Sequence, residues 1–197
     1  FDLGINPGAV GIKWMAGSNS YIDDGLFRAR GSRNPRGEGH AHSIWVTNGG
    51  GGIFKNLWIV DPRTKLAFLV SNTSTVGKIY EISVEHHKEM EIKLDNVENW
   101  SFYALQIEED RGSEKTLGIY MKDCKNIHFA NLRSHRTTGV WEPYHAAVQI
   151  RDSNNITIRG NLMGGAVFPW DNAVFDEITG MVVPHNLFTK LVIKHDE

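Results

Sequence analysis

Gly118-Ile-Tyr-Met-Lys-Asp-Cys-Lys-Asn-Ile-His-Phe-Ala-Asn131 and, 29 residues on, Ala147-Val-Gln-Ile-Arg-Asp-Ser-Asn-Asn-Ile-Thr-Ile-Arg-Gly-Asn161 carry one pattern twice. Each holds an apolar-x-apolar strand, an acidic corner and a second alternating strand. The unit recurs upstream. Ile44-Trp-Val46-Thr-Asn48, Phe68-Leu-Val70-Ser-Asn72 and Ile92-Lys-Leu94-Asp-Asn96 are spaced by 24 and 24, Ile119 follows Ile92 by 27, and Val148 follows Ile119 by 29. A weaker copy, Ile12-Lys-Trp14, stands 32 before Ile44. Second strands follow at Ile53–Leu57, Ile79–Ile82, Ile127–Leu132 and Ile156–Ile158.

A period in the twenties with several strands per unit predicts coils stacked on coils. A leucine-rich horseshoe needs a Leu-rich consensus, which is absent, and a β-sandwich has no reason to repeat its turn chemistry. The expected fold is therefore all-β, a right-handed parallel β-helix of about seven coils and part of a longer helix. Coils are expected over residues 1–165, with an irregular last coil or C-terminal cap over 166–197. Asn48, Asn72, Asn96, Asp123 and Asp152 form a column of corner residues. Asn and Asp tolerate the left-handed conformation of a sharp turn, and Asn can bond its counterpart one coil away.

At 41% apolar and 22% charged residues the 197-residue chain has a globular composition, outside the disordered class. Lys and Arg number 21 against 23 Asp and Glu, so no basic excess exists for phosphate contacts; this disfavours general nucleic-acid binding, and no nucleic-acid partner is expected. No apolar run reaches the roughly 18 residues of a membrane span. A single cysteine, Cys124, excludes an internal disulfide framework and a thiolate metal cluster. Gly49–Gly52 lacks the Lys-Ser/Thr of a phosphate loop and reads as a relaxed tight turn.

The two quoted stretches resemble the right-handed parallel β-helix of the pectin-lyase-like superfamily, with Cys124 and Ser153 at its small-residue position. The resemblance covers about residues 10–165. It implies a fold shared mainly by polysaccharide hydrolases and lyases, with phage tailspikes and surface adhesins as a minority. No leader in the sequence gives a location, and a secreted or periplasmic one is the expectation. Neither the paired-Asp signature of polygalacturonases nor the basic-and-acidic set of pectate lyases is present. No catalytic residue is carried over.

Candidate site residues come instead from the coil period. Aligning Val60, Val84, Ile107 and Leu132, at spacings of 24, 23 and 25, places Asp61, Glu85, Glu108 and Arg133 on consecutive rungs. Rungs lie about 4.8 Å apart. Beside them fall His86 and His87, Glu109 and Asp110, His135 and Arg136. Acids, imidazoles and guanidiniums on adjacent rungs are the groups that proton transfer to a glycosidic oxygen requires. The expected catalytic residues are Glu85, Glu108, His86, His87, Arg133 and His135, and the expected substrate-binding residues Glu109, Asp110, Arg136, Trp141 and Tyr144. Glu108–Lys115 also reads as a solvated loop, and His128, between Ile127 and Phe129, as a structural strand residue.

Two insertions interrupt the rhythm, Arg28–His42 and Thr137–His145. His40 and His42 would point the same way on an extended chain, but no third ligand stands nearby, and no metal set is assigned. Asp23-Asp24 reads as a strand end, with Ca²⁺ as its alternative, and no cofactor is required. The leading expectation is a glycoside hydrolase acting on a polysaccharide along the helix side. Its alternatives are a polysaccharide lyase acting on a uronate-containing glycan and a non-catalytic adhesin or tailspike-like module. The apolar start at Phe1 shows no capping helix, so that end is expected to be covered by more polypeptide or another subunit.

Overall fold

The computed structural model describes residues 1–28, 39–109, 116–136, 145–165, 170–184 and 190–194, with the backbone alone at 161–165, 190 and 191. The first coil holds β1 (Val10–Trp14) and β2 (Tyr21–Phe27), the second β3 (His42–Val46) and β4 (Gly52–Val60). The third holds β5 (Leu66–Thr73), β6 (Gly77–Tyr80) and β7 (Ser83–Glu85), and the fourth β8 (Met90–Tyr103) and β9 (Gln106–Glu109). β10 (Leu117–Lys122) and β11 (Lys125–Arg136) form the fifth, β12 (Ala146–Arg151) and β13 (Asn154–Gly165) the sixth. β14 (Asn172–Asp176) adds a seventh rung, after which β15 (Val182–Pro184) and β16 (Lys190–Ile193) pair antiparallel with β14 and β13. The stacked parallel coils form a β-solenoid. No helix among the described residues is long and apolar enough to cross a membrane.

Along the first face Ile12, Ile44, Phe68, Ile92, Ile119, Val148 and Val174 pair in succession. The spacings read from the sequence are thus pairing registers. The corner column is also as expected: Asn48, Asn72, Asn96, Asp123 and Asp152 all take φ between 46° and 57°. Asn96 donates to the Asn72 side chain at 3.1 Å. A second ladder stands three residues further along each coil, with Asn126 donating to Asn99 at 3.0 Å and Asn155 to Asn126 at 2.7 Å. Gly49–Gly52 turns at this corner, where a Cβ on Gly52 would lie 2.2 Å from the Ser20 carbonyl oxygen.

A further corner splits the second long strand into two faces. Asp24, Asn56, Glu81, Ala104, Asn131 and Gly160 all take positive φ, between 52° and 62°. The second face precedes this corner and the third face follows it.

Beneath the second face the interior is apolar. Phe54, Ile79, Phe102, Phe129 and Ile158 form one inward row on the second face. Phe102 and Phe129 stack at 4.5 Å, and Trp100 stacks on Phe54 at 5.8 Å. Each such ring contributes roughly 1.5–3 kcal/mol by burial. Gly77, paired with Trp100, has no room for a side chain: a Cβ there would meet the indole at 2.2 Å. At the last rung Asp176 takes the inward position that Ile150 holds below it. Its carboxylate accepts from the Ile178 N–H and the Thr179 hydroxyl, which turns the chain back into β15. At the other end Phe1 stacks on Phe27 at 4.6 Å and stays 61% exposed.

Candidate active site on the third face

Successive residues of a strand face opposite sides, and this rule divides the candidate residues into two sets. On the third face Leu57 and Ile59 are buried while Trp58 is half exposed. The outward positions therefore form two columns running across the rungs. One is Trp58, Ser83, Gln106 and Arg133, and the other is Val60, Glu85, Glu108 and His135.

Glu85 and Glu108 pair directly across neighbouring rungs. Glu85, His86 and Glu108 each offer a donor atom, all within 4.8 Å of one another. His135 Nε2 lies 3.0 Å from Glu108 Oε2, and His86 Nε2 lies 3.8 Å from Glu108 Oε1. The Ser83 hydroxyl donates to Glu85 Oε1 at 2.6 Å, and the Gln106 amide reaches the same oxygen at 3.4 Å. His86 takes φ 68°, a conformation rare for so large a side chain, and its N–H donates to the Glu108 carbonyl at 2.7 Å. Glu108, His86 and His135 are each about a quarter exposed, so the group opens to solvent from one side.

Arg133 stands differently from its expected place. It pairs with Gln106, and it is His135 that faces Glu108. The coil spacing here is 27, not 25, because the inward position opposite Ile107 is the buried Ser134. An apolar alignment skips that polar residue and settles on Leu132, two positions early. Arg133 remains exposed one column over, beside the pair.

The other expected residues lie inside the wall. Asp61, His87, Glu109 and Arg136 are 0–2% exposed and cannot touch a polymer on the surface. Asp61 accepts from the Thr64 hydroxyl at 2.8 Å and the Arg63 N–H at 3.0 Å, and lies 3.3 Å from His40 Nδ1. Burial alone would raise its carboxyl, but the His40, Thr64 and Arg63 hydrogen bonds outweigh that and hold it down at about 2. His87 Nδ1 and Glu91 Oε2 are 2.5 Å apart. Arg136 Nε donates to Glu109 Oε2 at 2.5 Å, and the Trp170 indole N–H donates to Glu109 Oε1 at 3.2 Å. Burial pushes the Glu109 carboxyl upward, and the charge and hydrogen bond of Arg136 oppose that shift and keep the two groups paired.

Asp110, Trp141 and Tyr144 lie outside the described residues. His40 is turned inward onto Ser43 at 2.7 Å while His42 packs against Trp45, so the two do not converge as ligands. Asp23 pairs with Lys55 at 3.1 Å and Asp24 occupies a corner. Trp58, half exposed one rung from Glu85, was hidden in the sequence by the apolar run Leu57-Trp-Ile-Val60. A groove of about 550 Å³ crosses the start of the first face, lined in part by His42, Leu66, Met90, Leu117 and Tyr120. Its two lysines are already paired, Lys65 with Glu89 and Lys93 with Asp95. No family model, curated protein or solved structure matches the chain.

Proposed function

We propose that this protein is a carbohydrate-active enzyme of the pectin-lyase-like superfamily, a glycoside hydrolase that cleaves a polysaccharide lying across the rungs of its third face. One observation carries this reading: Glu85 and Glu108 on adjacent rungs present carboxylate oxygens within 4.8 Å of each other on a surface open to solvent. Retaining glycosidases place their two carboxyl groups about 5–5.5 Å apart. Glu108, oriented by His135, is suited to attack the anomeric carbon. Glu85 then protonates the departing glycosidic oxygen, and afterwards draws a proton from the water that releases the glycosyl group. Trp58 offers an apolar ring face to a neighbouring sugar, and Arg133 a cation for an acidic one.

A second reading, elimination from a uronate, is favoured by the imidazoles of His86 and His135 beside the exposed guanidinium of Arg133. One imidazole would take the proton α to the carboxylate while a cation neutralises that carboxylate; the C–H electrons form a C=C bond as the glycosidic C–O bond on the next carbon breaks, and the departing oxygen takes a proton from the other imidazole.

Release of reducing ends from a panel of polysaccharides tests the hydrolase. Glu85→Gln and Glu108→Gln are each expected to lower the rate by about 10²–10⁴-fold. Unchanged rates in both variants would remove the pair from the mechanism. Ultraviolet absorbance of an unsaturated product separates the lyase from the hydrolase.

A further inference from the structure

We infer that Glu85, His86 and Glu108 form a binding site for a divalent first-row transition cation, with His135 as the residue that orients Glu108. The inference stands on donor geometry and holds whether or not a glycan is cleaved.

His86 Nε2 lies 3.8 Å from Glu108 Oε1, too far for a hydrogen bond. It is within a few tenths of an ångström of the separation of two ligands sharing one tetrahedral ion. With bonds of about 2.0–2.2 Å, donors around a tetrahedral or octahedral centre sit roughly 3–4.4 Å apart. All three donors fall within 4.8 Å of one another, so a small inward movement brings them to one centre. Glu108 divides its two oxygens accordingly: Oε2 meets His135 at 3.0 Å, and Oε1 faces His86. A carboxylate ligand held by an outer imidazole is a common arrangement in metal sites. Charge points the same way. Two carboxylates facing each other on neighbouring rungs repel, and a cation between them removes that repulsion. The backbone of His86 is held in the left-handed region, with its N–H fixed on the Glu108 carbonyl, so the imidazole is delivered to this group by the turn itself.

The donor types select the ion. One nitrogen and two carboxylates suit zinc, manganese or iron better than calcium, which takes oxygen ligands alone. Three protein ligands, each about a quarter exposed or partly buried, leave at least one coordination position open toward bound substrate. A cation here would supply the carboxylate neutralisation that elimination needs, and it would compete with hydrolysis for the same carboxylates, so the proposed hydrolase acts in its ion-free form.

Calorimetric titration of Zn²⁺ into chelator-treated full chain tests the site, and the visible spectrum of the Co²⁺ form reports ligand geometry. One ion per chain is expected, with affinity falling at least about tenfold in Glu108→Gln and in His86→Ala, and in His135→Gln by about tenfold through lost orientation. His128→Ala, on the second face beside Tyr103, is expected to bind as the parent does. Glu85→Gln provides the same test where another variant fails to fold, as judged by circular dichroism. Absence of binding, or equal affinity in all variants, overturns the site. Loss of the ion in these variants establishes it, even when no polysaccharide is cleaved.

Discussion

Glu108 and Glu109 are consecutive, yet they occupy two different chemical worlds. Glu108 faces outward with His135 and across from Glu85, about a quarter exposed. Glu109 faces inward, fully enclosed, bonded to Arg136 and Trp170. The same division separates Glu85 from Asp61 and His135 from Arg136. Outward groups keep lone pairs available for substrate or ion. Inward groups bond one another, as Asp61 does Thr64 and Glu109 does Arg136, and hold the turns that carry the outward ones. A charged cluster on stacked rungs is therefore two clusters, and the wall of the solenoid decides which residues can do chemistry.

The largest effect that tests this division belongs to the inner set. Glu109→Ala leaves Arg136 buried with an undiminished charge, since a guanidinium cannot shed its proton. Breaking a buried pair on one side costs about 3–5 kcal/mol. Chemical denaturation should show that loss. The double replacement Glu109→Leu with Arg136→Met is expected to be less damaging than the single change. A Glu109→Ala variant as stable as the parent would place Glu109 with the outer set after all.

Asp61 gives a smaller effect with a pH signature. Its folded carboxyl titrates at about 2, below the ordinary 3.8. A depressed carboxyl stabilises the fold above the unfolded value, and that stabilisation disappears as pH falls through about 2. The difference corresponds to about 2 kcal/mol. Asp61→Asn should therefore lose about 2 kcal/mol at neutral pH and lose less on going from pH 5 to pH 2 than the parent does. Parallel acid limbs in the two proteins would show that Asp61 is not held as described.

How much of this was legible in the sequence follows from what each position demands. The first face reads directly, because its inward positions demand aliphatic side chains and its corner demands Asn or Asp. Every spacing from Ile12 to Val148 is a pairing register. The corner that divides the second and third faces left no comparable trace. Asp24, Asn56, Glu81, Ala104, Asn131 and Gly160 share a backbone conformation and little else. Without that corner the inward and outward sides of the third face could not be told apart, so His87, Glu109 and Arg136 were grouped with residues on the other side of the wall. Ser134, polar in an otherwise apolar inward column, then shifted Arg133 by two. The pair Glu85 and Glu108 survived because both lie before that slip.

The smallest expected effect is the most discriminating, because its sign differs between the two sets. Glu85 has a hydroxyl and an amide for partners, and its closest charged group across the rung is the like-charged Glu108. Glu85→Gln keeps the shape and an acceptor oxygen for Ser83 while removing one of two facing negative charges. In this partly exposed setting that repulsion is worth about 1 kcal/mol or less after screening. With a chelator present, so that no cation offsets the pair, the variant should be as stable as the parent or up to about 1 kcal/mol more stable. Any gain should shrink as salt is raised, since exposed charges are screened within about 10 Å at 0.1 M. Such a gain is the mark of a site whose charges are kept for function at some expense to the fold. A loss of more than about 1 kcal/mol, unaffected by salt, would mean that Glu85 supports the wall as Glu109 does, and the outer column would no longer stand apart from the inner one.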